Sequence, residues 1–116
     1  MIQFYHYNRC GTCRKARKFL DTHKISYKEI DITINPPPKK VLKEAISTYG
    51  IKKLFNTSGK EYKEKKIKDK ISSMTETQAL EILSKNGRMI KRPFVVSSNQ
   101  ITVGFKMEDF KKAWQK

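Results

Sequence analysis

The chain is predicted to be an α/β protein built on a mixed four-stranded sheet, and three observations predict it. An apolar run, an amphipathic helix and an alternating run follow one another within the first 34 residues. Two β-branched runs lie close together after residue 92, the pattern of a hairpin. Between these ends, apolar residues recur at helical spacing.

The elements follow in order. Ile2-Gln3-Phe4-Tyr5-His6-Tyr7 is apolar or aromatic at nearly every position, as expected of a strand covered on both faces. Asn8 to Thr12 is a polar turn, and Ala16, Phe19 and Leu20 then place a helix over about 12–23. Residues 27–34 alternate, with Ile30, Ile32 and Ile34 on one face and Glu29, Asp31 and Thr33 on the other, so a second strand is predicted to run to Ile34. This is a βαβ unit. Asn35-Pro36-Pro37-Pro38 ends it, because proline donates no ladder hydrogen bond.

Val41, Leu42, Ala45, Ile46 and Tyr49 form one stripe of a helix over 38–49, with Gly50 at the expected left-handed cap. Residues 52–56 read as a short turn, and the lysine-rich stretch from Gly59 to Lys70 as a helix with a thin apolar side. Thr75-Glu76-Thr77-Gln78 is a capping box opening a helix whose inner stripe is Ala79, Leu80 and Leu83. Residues 93–97 and 101–103 form the hairpin around Ser98-Asn99-Gln100. A last helix carries Glu108 and Asp109 early and turns Phe110, Ala113 and Trp114 inward. The order describes a thioredoxin-like core, 1–35 and 91–116, with a helical insertion over 36–90, in a single domain of 116 residues.

Composition narrows the function classes. A hydrophobic fraction of 37% supports one core and argues against wholesale disorder. The first residues have neither the basic start nor the long apolar run of a secretory signal, and no stretch is long and apolar enough for a membrane span, so a cytoplasmic, reducing location is expected. Twenty-six Lys and Arg against eleven Asp and Glu give a net charge of +15, which favours anionic partners without choosing among them. The eight lysines between 52 and 70 belong to no recognised nucleic-acid module, so they read as a solvated face and not as a sequence-specific nucleic-acid site.

In a reducing compartment, Cys10 and Cys13 are expected to be reactive or metal-binding and not a structural staple. A thiol attacks as thiolate, and a helix N-terminus favours negative charge, which suits Cys10 as nucleophile. Cys13, one turn on, suits the resolving thiol. The competing readings are inert buried thiols and a zinc site, for which His6 and His23 supply no ligand spacing. No metal is expected. Asn8 and Arg14 lie outside the pair and Gly11 and Thr12 between its two cysteines, and all four are expected to line a substrate site. In a thioredoxin-like fold, a cis proline at the start of the third strand faces the redox turn. Pro93 takes that place, and Arg92 would hold an anion or the thiolate.

With these motifs placed, the chain resembles the ArsC/Spx family, which joins glutaredoxin-linked arsenate reductases to the Spx and MgsR regulators. The carriers are Tyr7-Asn8-Arg9-Cys10-Gly11-Thr12-Cys13-Arg14-Lys15-Ala16, Lys53-Leu54-Phe55-Asn56-Thr57-Ser58-Gly59, and Ile90-Lys91-Arg92-Pro93-Phe94-Val95-Val96 with Val103-Gly104-Phe105. The resemblance implies an ArsC-like fold and, for the reductases, Cys10 as the attacking thiol beside three arginines. Arg92 matches one of them, while Asn56 and Gly104 or its neighbours stand at the other two. It therefore implies thiol chemistry on a disulfide, a glutathione adduct or an oxyanion. Glutathione with glutaredoxin, or thioredoxin, would be the electron donor, with no bound cofactor. The regulators imply a second reading, a redox switch that binds the RNA polymerase α subunit. Gly50 matches their contact glycine, and their contact arginine falls near Ser58.

Overall fold

The computed structural model describes residues 2–7, 11–57, 62–63 and 66–114. Its chain separates into two compact units, Met1–Asp31 with Arg92–Lys116, and Ile32–Lys91.

The first unit holds the sheet. Strand β1 (Ile2–His6) leads to helix α1 (Gly11–Thr22) and then to β2 (Tyr27–Asp31). After the insertion, β3 (Phe94–Val96) and β4 (Ile101–Val103) form the hairpin, and helix α6 (Met107–Trp114) ends the described chain. The strand order is β2-β1-β3-β4. β1 is parallel to β2, and β3 is antiparallel to both β1 and β4, so the sheet is mixed. The central position of β1 explains its nearly unbroken apolar run, since both of its faces are covered. Phe4, Cys13, Ala16, Phe19, Leu20, Val95, Phe110 and Trp114 make the buried cluster that binds α1 and α6 to the sheet. The Trp114 indole N–H donates to Thr102 Oγ1 at 3.0 Å, which satisfies its polar end.

The hairpin closes at Ser98-Asn99, where the Ser97 N–H donates to the Gln100 carbonyl at 2.8 Å. β2 is shorter than its alternation predicts. It ends at Asp31, opposite His6, because β1 offers no partner beyond that residue. The chain then turns: Ile32 is fully buried, whereas Ile34 is 72% exposed. Ile34 is therefore not a strand residue.

The second unit is helical. It contains α2 (Lys39–Tyr49), α3 (Ile51–Leu54), α4 (Ile67–Lys70), a 3-10 turn over Ile71–Ser73, α5 (Glu76–Lys85) and a 3-10 turn over Gly87–Met89. The predicted capping box is present, with Thr75 Oγ1 accepting from the Gln78 N–H at 3.1 Å and Gln78 Oε1 accepting from the Thr75 N–H at 3.0 Å. α2 packs on α5, burying Leu42 and Ala45 with Ala79 and Leu83. Lys39 pairs with Glu81 across that contact, and Lys85 pairs with the same carboxylate from one turn further along α5.

The lysine-rich stretch is not one helix in its described part. Lys66 adopts the left-handed conformation, φ 53°, which interrupts the helical hydrogen bonding before α4. Residues 58–61 and 64–65, including Ser58 and Gly59, lie outside the described residues. Leu54 and Lys91, Asn56 and Met89, and the Phe55–Ile90 bridge tie the middle of the insertion to its C-terminal end.

Candidate active site at the start of helix α1

The first turn of α1 carries Gly11, Thr12, Cys13 and Arg14 and has no acidic residue. Its unpaired N–H groups therefore face no local carboxylate of their own helix, which leaves the dipole available to another anion. Gly11 is exposed, and a Cβ there would meet nothing within 4 Å. Thr12 and Arg14 are also exposed. Cys13 is 1% exposed and sits in the apolar cluster of the first unit. Asn8 and Cys10, both expected in the site, lie outside the described residues.

A second segment meets this turn from the far end of the sequence. The Thr12 hydroxyl donates to the Arg92 carbonyl at 3.3 Å, across 80 residues of chain. The Arg92–Pro93 peptide bond is cis, and Pro93 is buried just before β3. The Pro93 carbonyl accepts from the Gly104 N–H at 2.9 Å. Gly104 itself has φ 82°, a conformation that side chains disfavour. The Arg92 guanidinium lies over the Tyr7 ring, 5.0 Å from its centroid. Thr12, Arg92 and Pro93 are thus brought together as expected. Tyr7 joins them, a residue whose part the sequence motif carried without disclosing it.

One polar cluster of the first unit was missed by sequence reasoning. His6 is 6% exposed, with Nδ1 3.3 Å from the Arg17 guanidinium and Nε2 3.4 Å from Glu29 Oε1. Arginine only donates, so Nδ1 accepts and the ring proton sits on Nε2, facing the carboxylate. Arg17 also pairs directly with Glu29. The cluster pins α1 to β1 and β2 one turn beyond Cys13. Its members come from three elements, and no spacing in the chain announces them. Nearby, burial holds the Tyr5 phenol above its ordinary value. Tyr27 is pushed up to about 12 by burial first, and then by the hydrogen bond it donates to Asp21.

The other candidates have their own local contacts. Among the described residues, no group of three or more His, Cys, Asp and Glu could hold a metal ion. His23 is engaged locally, its Nδ1 2.9 Å from the Phe19 carbonyl and its ring over Phe19. Asn56, where the resemblance places a second arginine, donates from Nδ2 to the Arg88 carbonyl at 3.4 Å and from its backbone to Met89 at 2.8 Å. Gly50 has φ 86° and ψ 161°, so the residue after α2 needs glycine, although not in the left-handed helical region expected. It is exposed, and a Cβ there would meet nothing within 4 Å. Among the described residues, no helix is long and apolar enough to cross a membrane.

A mixed four-stranded sheet whose first helix starts against a cis-proline strand defines a protein of thioredoxin-like fold. The model of the ArsC family matches residues 5–113, and the chain belongs to that family. It is 44% identical over 115 residues to the uncharacterized protein YusI of Bacillus subtilis, covering 97% of this chain and 98% of YusI. It is 28% identical to the regulatory protein MgsR of the same organism, covering 90% of this chain and 82% of MgsR. Among solved structures, it resembles one described as a possible arsenate reductase from Streptococcus mutans, with a TM-score of 0.87 and 36% identity over 96% of this chain and 98% of that one.

Proposed function

We propose that the protein is a cytoplasmic thiol–disulfide redox protein using Cys10 as nucleophile, Cys13 as resolving thiol and Arg92 as the group that holds a thiolate or anion. The observation that carries this reading is the Thr12–Arg92 hydrogen bond, which sets the start of α1 beside the cis-proline strand end immediately after Cys10 in the chain. Helix-start N–H groups and a guanidinium both favour the thiolate. Asn8, Gly11, Thr12, Arg14 and Pro93 contribute the remaining walls of the substrate site.

The chemistry balances without a bound cofactor. The Cys10 thiolate attacks one sulfur of a substrate disulfide, forming a mixed disulfide and releasing the other half as thiolate. Cys13 then gives up its proton and attacks the Cys10 sulfur, releasing the second thiolate and leaving a Cys10–Cys13 disulfide. Two electrons have passed to the substrate. Glutathione with glutaredoxin, or thioredoxin, returns them. Burial of Cys13 supports its assignment as second thiol, since external reagents reach it poorly. With one arginine in place of three, disulfides and glutathione adducts are favoured over arsenate.

The test is a coupled thiol-reduction assay with glutathione, glutaredoxin or thioredoxin as electron source. A Cys10→Ser protein is expected to lose activity, and activity equal to wild type overturns the reading. A second reading, a redox-sensing regulator that binds the RNA polymerase α subunit, is favoured by the likeness to MgsR and by exposed Gly50. It predicts capture of that subunit with a difference between oxidising and reducing conditions. No capture in either state removes it.

A further inference from the structure

We propose that the groove between α4 and α5 docks an acidic amphipathic helix of a partner protein, with carboxylates meeting Lys66 and Lys70 and apolar side chains covering Met74 and Ile82. The surface lies within the helical unit and does not depend on the redox reading above.

Two hollows, of about 740 and 500 Å³, lie beside α5. Lys70, Glu81 and Ile82 line both of them, so they form one groove. It reaches from Thr77 and Gln78 in the first turn of α5 to Lys85 at its end, and ten helical residues span about 15 Å. That length accepts roughly three turns of a second helix, more than a compact small molecule needs. Ile67 and Met89 are buried in its wall, while Met74 and Ile82 are half-buried. The latter two keep apolar surface that aliphatic anchors of a partner would take out of water.

Charge selects the partner. Glu81 is the one acidic residue among the described residues of the groove wall, and Lys39 and Lys85 already pair with it. Lys66 and Lys70 line the same groove four residues apart, are exposed, and make no ion pair among the described residues. Two unanswered cations beside an apolar strip complement a helix that carries carboxylates one turn apart next to its apolar stripe. A second copy of this chain suits the groove less, because each copy carries a net charge of +15. A nucleic-acid strand also suits it less, since the described wall holds no aromatic ring on which bases could stack.

The test is fluorescence anisotropy with a fluorescein-labelled helical peptide of about 15 residues, with leucine at i, i+3, i+4 and i+7 and glutamate on either side. A peptide of the same composition, permuted so that leucine is spread round the helix, is the control. At low ionic strength the first peptide is expected to bind saturably and about tenfold tighter than the permuted one. Lys66→Glu combined with Lys70→Glu is expected to weaken it by about tenfold or more. Lys28→Glu combined with Lys111→Glu, an equal change of charge in the sheet unit, is expected to stay within about twofold of wild type. All four lysines are exposed, and thermal melts confirm that each variant is folded. Equal binding of the two peptides, or equal weakening by the two double variants, reduces the effect to net charge and overturns the proposal. Absence of saturable binding up to about 1 mM peptide overturns it as well. So does a single-stranded oligonucleotide that displaces the peptide more tightly than unlabelled peptide does, or sedimentation showing that the chain dimerises through Lys66 and Lys70.

Discussion

Glu81 and Gly87 show how single residues carry measurable weight in the insertion unit. Glu81 accepts hydrogen bonds from Lys39 and Lys85, in that order of effect, and its carboxyl is lowered from 4.5 to about 2. A carboxyl lowered in the folded state stabilises the protein fully above its unfolded value, and that contribution is lost as pH falls from about 4.5 towards about 2. The pair is solvent-exposed, so the effect is small and screened by salt. Acid unfolding of Glu81→Gln at low ionic strength is therefore expected to be flatter than wild type across that window, a difference that half-molar salt removes. Gly87 is under a harder constraint: a Cβ there would lie 1.8 Å from the Ile32 carbonyl oxygen. Backbone, not a flexible side chain, has to move. Gly87→Ala is expected to cost about 3 kcal/mol or more in urea unfolding, at or beyond the upper end for overpacking.

Among the elements, those built from local pattern are legible in the sequence. β1, α1, the hairpin and the last helix follow from periodicities of two and 3.6 residues. The capping box at Thr75 was readable from four consecutive residues, and both of its reciprocal hydrogen bonds are made. Thr75→Ala is accordingly expected to destabilise by about 1 kcal/mol, measured by equilibrium unfolding, with Thr75→Ser close to wild type. What escaped the sequence was set by contacts distant in the chain. β2 alternates through Ile34, yet stops at Asp31 because its partner strand ends and Ile32 is taken up against Gly87. The left-handed Lys66 has no composition signal, since lysine is an ordinary helix former. The candidate site divides in the same way. Cys13, Arg92 and Pro93 were found by motif, whereas the Tyr7–Arg92 stack and the His6–Arg17–Glu29 cluster depend on side chains meeting from separate elements.

At the scale of the whole molecule, a net charge of +15 favours anions in general and so carries little specificity. On the proposed reading, specificity comes from the start of α1, where Cys13 lies, and from the strand end at Pro93. The most direct measurement equilibrates the protein against a series of glutathione redox buffers, quenches with acid and counts free thiols and adducts by mass spectrometry. The account predicts a reversible loss of two hydrogens, forming a Cys10–Cys13 disulfide with a midpoint inside the buffer range, and a glutathione adduct in its place when Cys13 is replaced by alanine. Two thiols that remain reduced across the whole series, or a glutathione adduct on Cys10 that Cys13 never displaces, would contradict it.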